Sequence, residues 1–143
     1  MLDFWLYISR AKVPPRSADD ALIYLQARNR NAAHEISGYL HREDGFYVQY
    51  IEGPTTALAR LKRIIRGDWR HEGLHALAEG HVQARRFAGW DMAFTNEEIS
   101  SFRAYQAVFG GETDIAKASA QEILAFMERT ALSGQARSVA ELA

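Results

Sequence analysis

The chain has 143 residues, contains no cysteine and carries 17 basic against 18 acidic residues, for a formal net charge of −1. This length suits one domain that buries a core without metals or disulfides, and the absence of cysteine excludes a disulfide framework and thiol chemistry. The balanced charge produces no net electrostatic field that would attract nucleic acid or a membrane surface. Because the sequence has no signal peptide and no long apolar run, it predicts a cytoplasmic protein.

The N-terminal segment predicts a strand followed by a helix. Leu2 to Ser9 is rich in aromatic and aliphatic residues, as strands are. Ser17 followed by Asp20 resembles a capping box, and apolar residues at helical spacing then predict a helix over about Ala18 to Ala33. One face of this helix carries a stripe of side chains that is a plausible floor for a ligand. The stripe consists of Ile23, Ala27 and Asn31.

A hairpin is predicted next, with one unusual residue in it. Ile36 to His41 and Gly45 to Glu52 are strand-like runs, and the Asp-Gly pair between them is a hairpin signal. Gln49 lies in the middle of the second run and shares a face with Tyr47 and Ile51. Because burying an amide is costly without a partner, backbone, water or a ligand must satisfy Gln49.

The middle of the chain completes a predicted sheet. Thr55 or Thr56 caps a second helix that ends near Gly67, and Leu74 to Val82 and Phe87 to Phe94 predict two more strands. The order strand, helix, strand, strand, helix, strand, strand predicts an α+β fold, a ferredoxin-like βαββαββ sandwich with both helices on one face of the sheet.

Two C-terminal helices are predicted, over Glu97 to Phe109 and Asp114 to Leu132, each with an apolar side. A sheet with this aromatic content would expose a large apolar patch if one face stayed open. We therefore expect these helices to cover that face, with the last ten residues frayed.

One motif resembles the sequence pattern of a metal site. His71 to His75 reads HEGLH, the H-E-x-x-H pattern of zinc proteases, which needs both histidines on one helical face. Gly73 lies inside the motif, and Gly67 has just ended a helix, so the start of a strand fits better. Residues four apart on a strand are about 13 Å apart, too far for one metal ion. We expect no metal site, and with no nucleophile elbow or phosphate loop in the sequence we expect no enzymatic activity.

Five sequence blocks run in order over about residues 1 to 95. They are LYISRA at Leu6 to Ala11, ARNRNAAHEISGYL at Ala27 to Leu40, GFYVQYIEG at Gly45 to Gly53, DWRH at Asp68 to His71 and RRFAGWDMAF at Arg85 to Phe94. Together they resemble the BLUF family of blue-light sensors that use FAD. The resemblance implies a flavin-binding photosensor domain over residues 1–95, with a C-terminal helical cap over residues 96–143 in the same unit. It also implies FAD between the two helices, with FMN or riboflavin as possible substitutes.

The resemblance also implies roles for individual residues. Tyr7 matches the photoactive tyrosine and Gln49 the switching glutamine, while Trp90 and Met92 match the fifth-strand pair that relays the signal. The implied cofactor-binding residues are Tyr7, Ile23, Arg30, Asn31, Gln49, Asp68, Arg70 and His71.

Two positions depart from the family pattern. Arg30 stands where many members have asparagine, and Ala27 stands where many have serine. Arginine can donate to a flavin carbonyl or phosphate, so we expect binding to survive while the spectral position and recovery rate differ.

By resemblance, the chain is a short blue-light photoreceptor without an enzymatic output. Electron and proton transfer from Tyr7 to the excited flavin, followed by recombination, leaves Gln49 rotated or tautomerised, and the change passes through the fifth strand to the C-terminal helices. We expect no effector domain in the chain, so the output goes to an unknown partner protein or through self-association, and neither nucleic acid nor a membrane is an expected partner. The alternative is a flavin-free ferredoxin-like interaction module that has lost photosensing; it would be colourless.

Overall fold

The computed structural model describes residues 1–138 of the chain. In chain order its elements are β1 Leu2–Ala11, α1 Ala18–Ala33, β2 Ser37–Glu43, β3 Phe46–Pro54, α2 Thr55–Arg66, β4 His71–Val82, β5 Ala93–Asn96, α3 Phe102–Phe109, α4 Ala120–Leu132 and β6 Arg137–Ser138. The strands form one sheet in the order β4-β1-β3-β2-β5-β6. Neighbouring strands are antiparallel except β2 and β5, which are parallel. This topology confirms the ferredoxin-like prediction.

The register of the central strands β1 and β3 fixes the relation between two candidate residues. Tyr7 lies directly opposite Gln49 in this antiparallel pair. Opposed residues of antiparallel strands project from the same face with their Cβ atoms about 5 Å apart. Backbone pairing along the strands therefore brings the two side chains together.

Each face of the sheet carries its own apolar core. The face under α1 and α2 includes Trp5, Tyr7, Tyr24, Leu40, Ile51, Leu61 and Met92. The opposite face, under α3 and α4, includes Leu6, Tyr39, Tyr50, Phe87, Phe102, Phe126 and Met127. The C-terminal helices thus cover the second face, as predicted. None of the helices within residues 1–138 is both long and apolar enough to cross a membrane.

The two C-terminal helices begin later than predicted because side chains cap them. Ser101 accepts a hydrogen bond from the backbone N–H of Ala104 and starts α3. Ser119 and Glu122 form a reciprocal capping box that starts α4. The last ten residues are the tail that the sequence predicts to be frayed. Within it, the short strand β6 pairs with β5, and the residues of the tail after β6 lie outside those that the structure describes.

The fifth strand begins later than the sequence predicts, at Ala93 instead of Phe87. Residues 83–92 form a loop between β4 and β5, here called the β4–β5 loop, and β5 itself spans only Ala93–Asn96. Gly89 adopts a positive φ of 86°, and the Trp90 carbonyl accepts a hydrogen bond from the Gly38 N–H instead of pairing in register. Trp90 and Met92 consequently precede the strand on which they were predicted.

The histidine motif lies in a strand, as the presence of Gly73 within it predicts. Both His71 and His75 belong to β4, which begins three residues earlier than predicted. Within the part of the chain that the structure describes, no group of three or more His, Cys, Asp or Glu side chains is arranged to hold a metal ion.

We propose that the sheet and the C-terminal helices fold as one unit, and a substitution of Phe126 in α4 tests this. Phe126 is fully buried, and its ring centroid lies 4.9 Å from that of His41 and 5.4 Å from that of Phe102. Because truncating a buried Phe costs about 3–5 kcal/mol, Phe126→Ala should lower the free energy of unfolding by that amount in a single urea transition. The exposed Phe109→Ala is the control, with a change below about 1 kcal/mol. Two transitions, only one of them shifted, would contradict the single unit.

Candidate functional site

A cleft lies between the first two helices and the central strands. It is lined by Tyr7, Ile23, Ala27, Arg30, Leu40, Tyr47, Gln49, Ile65, Asp68, Arg70 and His71. The structure therefore brings most of the residues singled out in the sequence to one place. Asn31, Trp90 and Met92 do not line the cleft, although Met92 Sδ accepts a hydrogen bond from the cleft residue Gln49.

Tyr7 and Gln49 form the centre of the cleft wall. The Tyr7 hydroxyl donates a hydrogen bond to Gln49 Oε1 at 2.5 Å, and Gln49 Nε2 donates to Met92 Sδ at 3.9 Å. Tyr7 is 4% exposed and Gln49 is 5% exposed. The amide thus faces a hydroxyl donor with its acceptor end and a weak sulfur acceptor with its donor end. In a reversed amide, Oε1 would face Met92 Sδ, which has no hydrogen to donate, and Nε2 would face a Tyr7 hydroxyl that must rotate to accept, so this environment favours the orientation observed.

The Tyr7 hydroxyl is held in its protonated form. Burial raises the pKa of Tyr7 well above its ordinary value, and the negative charge of Asp68 raises it further, while Arg30 opposes the shift. A buried phenolate has no water to stabilise it. Tyr7 is therefore a proton donor toward Gln49 throughout the neutral pH range.

An ion pair closes one end of the cleft. The Arg70 guanidinium donates to both carboxylate oxygens of Asp68, from Nε at 2.8 Å and from Nη2 at 2.6 Å, and the Arg70 backbone N–H adds a third bond at 3.0 Å. Beside it, the His71 ring contacts Ser9 Oγ and the Ile65 carbonyl, each at 2.6 Å. These bonds tie the end of β4 to β1 and to α2.

The Asp68 carboxylate predicts a pH dependence of stability. Burial alone would raise the pKa of Asp68, but the hydrogen bonds and charge of Arg70 outweigh it and hold the pKa below its ordinary value. Since the folded state binds this proton less tightly than the unfolded state, the contribution is present above about pH 5 and is lost as the pH falls through the folded pKa. Acid titrations followed by urea unfolding should show a steeper loss in wild type than in Asp68→Asn. Parallel profiles would contradict this assignment.

Two buried polar atoms beside the cleft show whether the site fits the flavin that the resemblance implies. Within the described residues, Arg30 Nε and Asn31 Oδ1 have no hydrogen-bond partner. The same is true of Trp5 Nε1, although Trp5 does not line the cleft. Asn31 is held from its other end, because its Nδ2 donates to the Asp91 carbonyl at 2.6 Å. Buried polar atoms are rarely left unpaired, and a flavin ring edge carries both N–H and C=O groups. The free donor of Arg30 and the free acceptor of Asn31 therefore fit a flavin.

The relay pair divides between the two faces of the sheet. Met92 is buried in the core under α1 and α2, whereas Trp90 packs, partly buried, against the core under α3 and α4. Sequence reasoning missed the cleft residue Tyr47, although its shared face with Gln49 was the available signal. It also missed the Asp91 backbone carbonyl, for which a side-chain pattern carries no signal.

Comparisons with known proteins agree with this site. The family model for BLUF, sensors of blue light using FAD, matches residues 2–93. Photoactivated adenylate cyclase subunit beta from Euglena longa is 35% identical over 94 residues, which are 65% of this chain and 11% of that protein. The dark-state structure of BlrB, a BLUF protein, matches with a TM-score of 0.75 and 29% identity over 93% of this chain and 96% of that one. The photo-activated state of BlsA has a TM-score of 0.77 at 21% identity, over 90% and 94% of the two chains, and supports the fold alone.

The matched region is a sensor module. The chain spans only 9% to 12% of the length of the curated relatives it matches, whose names describe photoactivated cyclases. The match includes β1 and β3, and so both Tyr7 and Gln49. The cleft, its unpaired polar atoms and the family match lead to one conclusion: this chain belongs to the BLUF family of blue-light sensors that use FAD.

Proposed function

We propose that this chain senses blue light by a change in the hydrogen bonds of Gln49 that Tyr7 drives. The observation that carries the proposal is the continuous contact from the Tyr7 hydroxyl through the Gln49 amide to Met92 Sδ. The residues that would hold FAD are those of the cleft together with Asn31 beside it, with Ile23 and Ile65 as apolar walls and Arg30 and Asn31 as polar partners.

A bound flavin would supply blue-light absorption and an excited state that accepts one electron. Tyr7, the oxidisable side chain at the centre of the cleft, would give up that electron together with its hydroxyl proton and would regain both on recombination. Its short bond to Gln49 Oε1 provides the path for that proton. The amide changes its donor and acceptor pattern without changing its net charge, by rotation or by tautomerisation. Gln49 then presents different groups to the flavin and to Met92.

One rewired bond is too weak to drive a full switch alone. A single hydrogen bond contributes about 1 kcal/mol, whereas moving an equilibrium from 1:99 to 99:1 requires about 5.5 kcal/mol. We infer that several contacts change together along β5, which follows Met92 directly and pairs with β2. The helices α3 and α4, packed on the far side of the sheet, are the element that responds. The output then passes to a partner protein or through self-association.

Hydrogen exchange tests this route. Purified protein loaded with FAD should show different amide protection in the light and in the dark between residues 97 and 132, because the responding helices lie there. Protection in β1, at the centre of the sheet, serves as the internal reference and should stay unchanged. Identical protection of the helices in both states, in a sample whose spectrum does respond to light, would contradict the route but not the sensing.

A further inference from the structure

A fully buried carboxylate on the far side of the sheet anchors the β4–β5 loop. Glu52 of β3 has no exposed surface, and its side chain lies on the face opposite Gln49, since the two residues are three apart on one strand. Four donors converge on it. Glu52 Oε1 accepts from the Arg86 N–H at 2.8 Å and the Tyr50 hydroxyl at 3.0 Å, and Oε2 accepts from the Phe87 N–H and the Ser37 hydroxyl, both at 2.9 Å.

The loop that Glu52 anchors is the one that reaches the cleft. Beyond the Glu52 contacts, the Trp90 carbonyl accepts from the Gly38 N–H at 3.2 Å, and the Asp91 carbonyl accepts from Asn31 Nδ2 at 2.6 Å. The next residue, Met92, receives the weak bond from Gln49 Nε2. The loop is thus fixed at its start by Glu52 and contacts the switching amide at its end.

The same loop also contacts the C-terminal helices. The Arg86 guanidinium pairs with Glu128 of α4. The Phe87 ring is fully buried in the second core, with its centroid 5.5 Å from that of Tyr39 and 5.3 Å from that of Tyr50. Glu52 holds the backbone at the two residues that make these contacts, both of which lie on the face of the sheet covered by α3 and α4.

We infer that Glu52 is a positioning residue of the photosensor, which holds the β4–β5 loop so that Met92 stays against Gln49. The inference rests on the function proposed above. A carboxylate suits this position because it accepts at both oxygens, and each oxygen here serves one hydroxyl and one backbone N–H. An amide in its place would turn an NH₂ group toward one of those pairs. A hydroxyl can rotate away from that group, but a backbone N–H cannot.

The decisive variant is Glu52→Gln, with Glu43→Gln as its matched control. Glu43 is an equally buried carboxylate, 1% exposed, that accepts from the backbone N–H groups of Phe102 at 2.7 Å and Arg103 at 3.1 Å. Its loss disturbs the start of α3 and the 2.9 Å contact with His41 Nε2 on β2, and none of its bonds goes to the β4–β5 loop. In dark, FAD-loaded protein, Glu52→Gln should speed amide exchange at Arg86 or Phe87 by about tenfold and shift the Met92 methyl resonance, whereas Glu43→Gln should leave both signals as in wild type.

Illumination supplies a second readout. The barrier to reversing a buried amide depends on the groups packed around it, so a loosened Met92 should speed dark recovery of the spectrum by about fivefold in Glu52→Gln and not in Glu43→Gln. An unmoved Met92 methyl, or recovery at the wild-type rate, would overturn the inference. If wild-type protein itself shows no light response, the proposed function fails, and the Met92 methyl still decides the role of Glu52.

A milder variant covers the case in which Glu52→Gln does not fold. Ser37→Ala leaves the carboxylate in place and removes one of its four donors, together with the acceptor of the 2.8 Å bond from Arg85 Nη1 of the same loop. It should shift the Met92 methyl and speed recovery in the same direction by a smaller factor. A Ser37→Ala protein with wild-type values of both would count against Glu52 as the anchor.

Discussion

Gln49→Leu should bind FAD and show no light-induced red shift. Leucine matches the size of the glutamine and keeps an apolar cleft wall, but it removes both the acceptor for the Tyr7 hydroxyl and the donor to Met92. With no group that reverses its hydrogen bonds, the flavin environment is the same before and after illumination. Absorption spectra of the purified variant, recorded in the dark and under blue light, measure this effect.

The control for this variant is Gln106→Leu. Gln106 of α3 is as buried as Gln49, at 4% against 5% exposed, and its amide bonds to the Glu112 carbonyl and to Glu122. Its loss should lower stability without changing the red shift. A red shift of wild-type size in Gln49→Leu would show that another group carries the spectral change.

Tyr7→Phe should likewise retain the flavin and lose formation of the red-shifted product. The change removes the oxidisable hydroxyl and its proton, and it leaves Gln49 Oε1 without its 2.5 Å donor. An unpaired buried acceptor costs about 1–3 kcal/mol, so the variant should also unfold at lower urea concentration. Transient absorption after a blue flash should show an excited flavin that decays without the product.

Tyr24→Phe is the control for removing the hydroxyl of a buried tyrosine that lies outside the cleft. Tyr24 is another tyrosine 4% exposed, whose ring packs 4.9 Å from that of Phe94. It does not line the cleft. Tyr24→Phe should therefore keep wild-type photochemistry. Product formation in Tyr7→Phe at the wild-type yield would exclude Tyr7 as the electron and proton donor.

Local signals were sufficient for the first part of the fold. The α1 bounds, Ala18–Ala33, agree with the prediction because Ser17 caps the helix as its sequence indicates. The hairpin of β2 and β3 follows from the Asp-Gly turn, at which Asp44 and Gly45 both adopt positive φ. These features depend on neighbours in the sequence, and a single sequence shows them.

The misplaced fifth strand reflects a distant group that replaces a local one. Phe87, Trp90 and Met92 form an apolar run that resembles a strand, but Glu52 supplies the acceptor that a neighbouring strand would have supplied. The late start of α4 did have a local signal, the Ser119 and Glu122 capping box, which apolar periodicity alone overlooked.

The candidate site depended on both kinds of information. The sequence indicated Gln49 as a costly buried amide, and the family resemblance implied its partner. Only the strand register shows that Tyr7 lies opposite it, and only the folded chain shows Asn31 turned toward the Asp91 carbonyl with one oxygen left unpaired. Contacts of this kind join residues far apart in the chain, so no local pattern encodes them.

The most direct test is the absorption spectrum of the purified wild-type protein, loaded with FAD, before and during blue illumination and after return to darkness. We predict a yellow protein whose flavin band shifts to the red in the light and returns in the dark. A folded protein that binds FAD but keeps one spectrum in all three conditions would contradict the account, as would a folded protein that remains colourless in excess FAD.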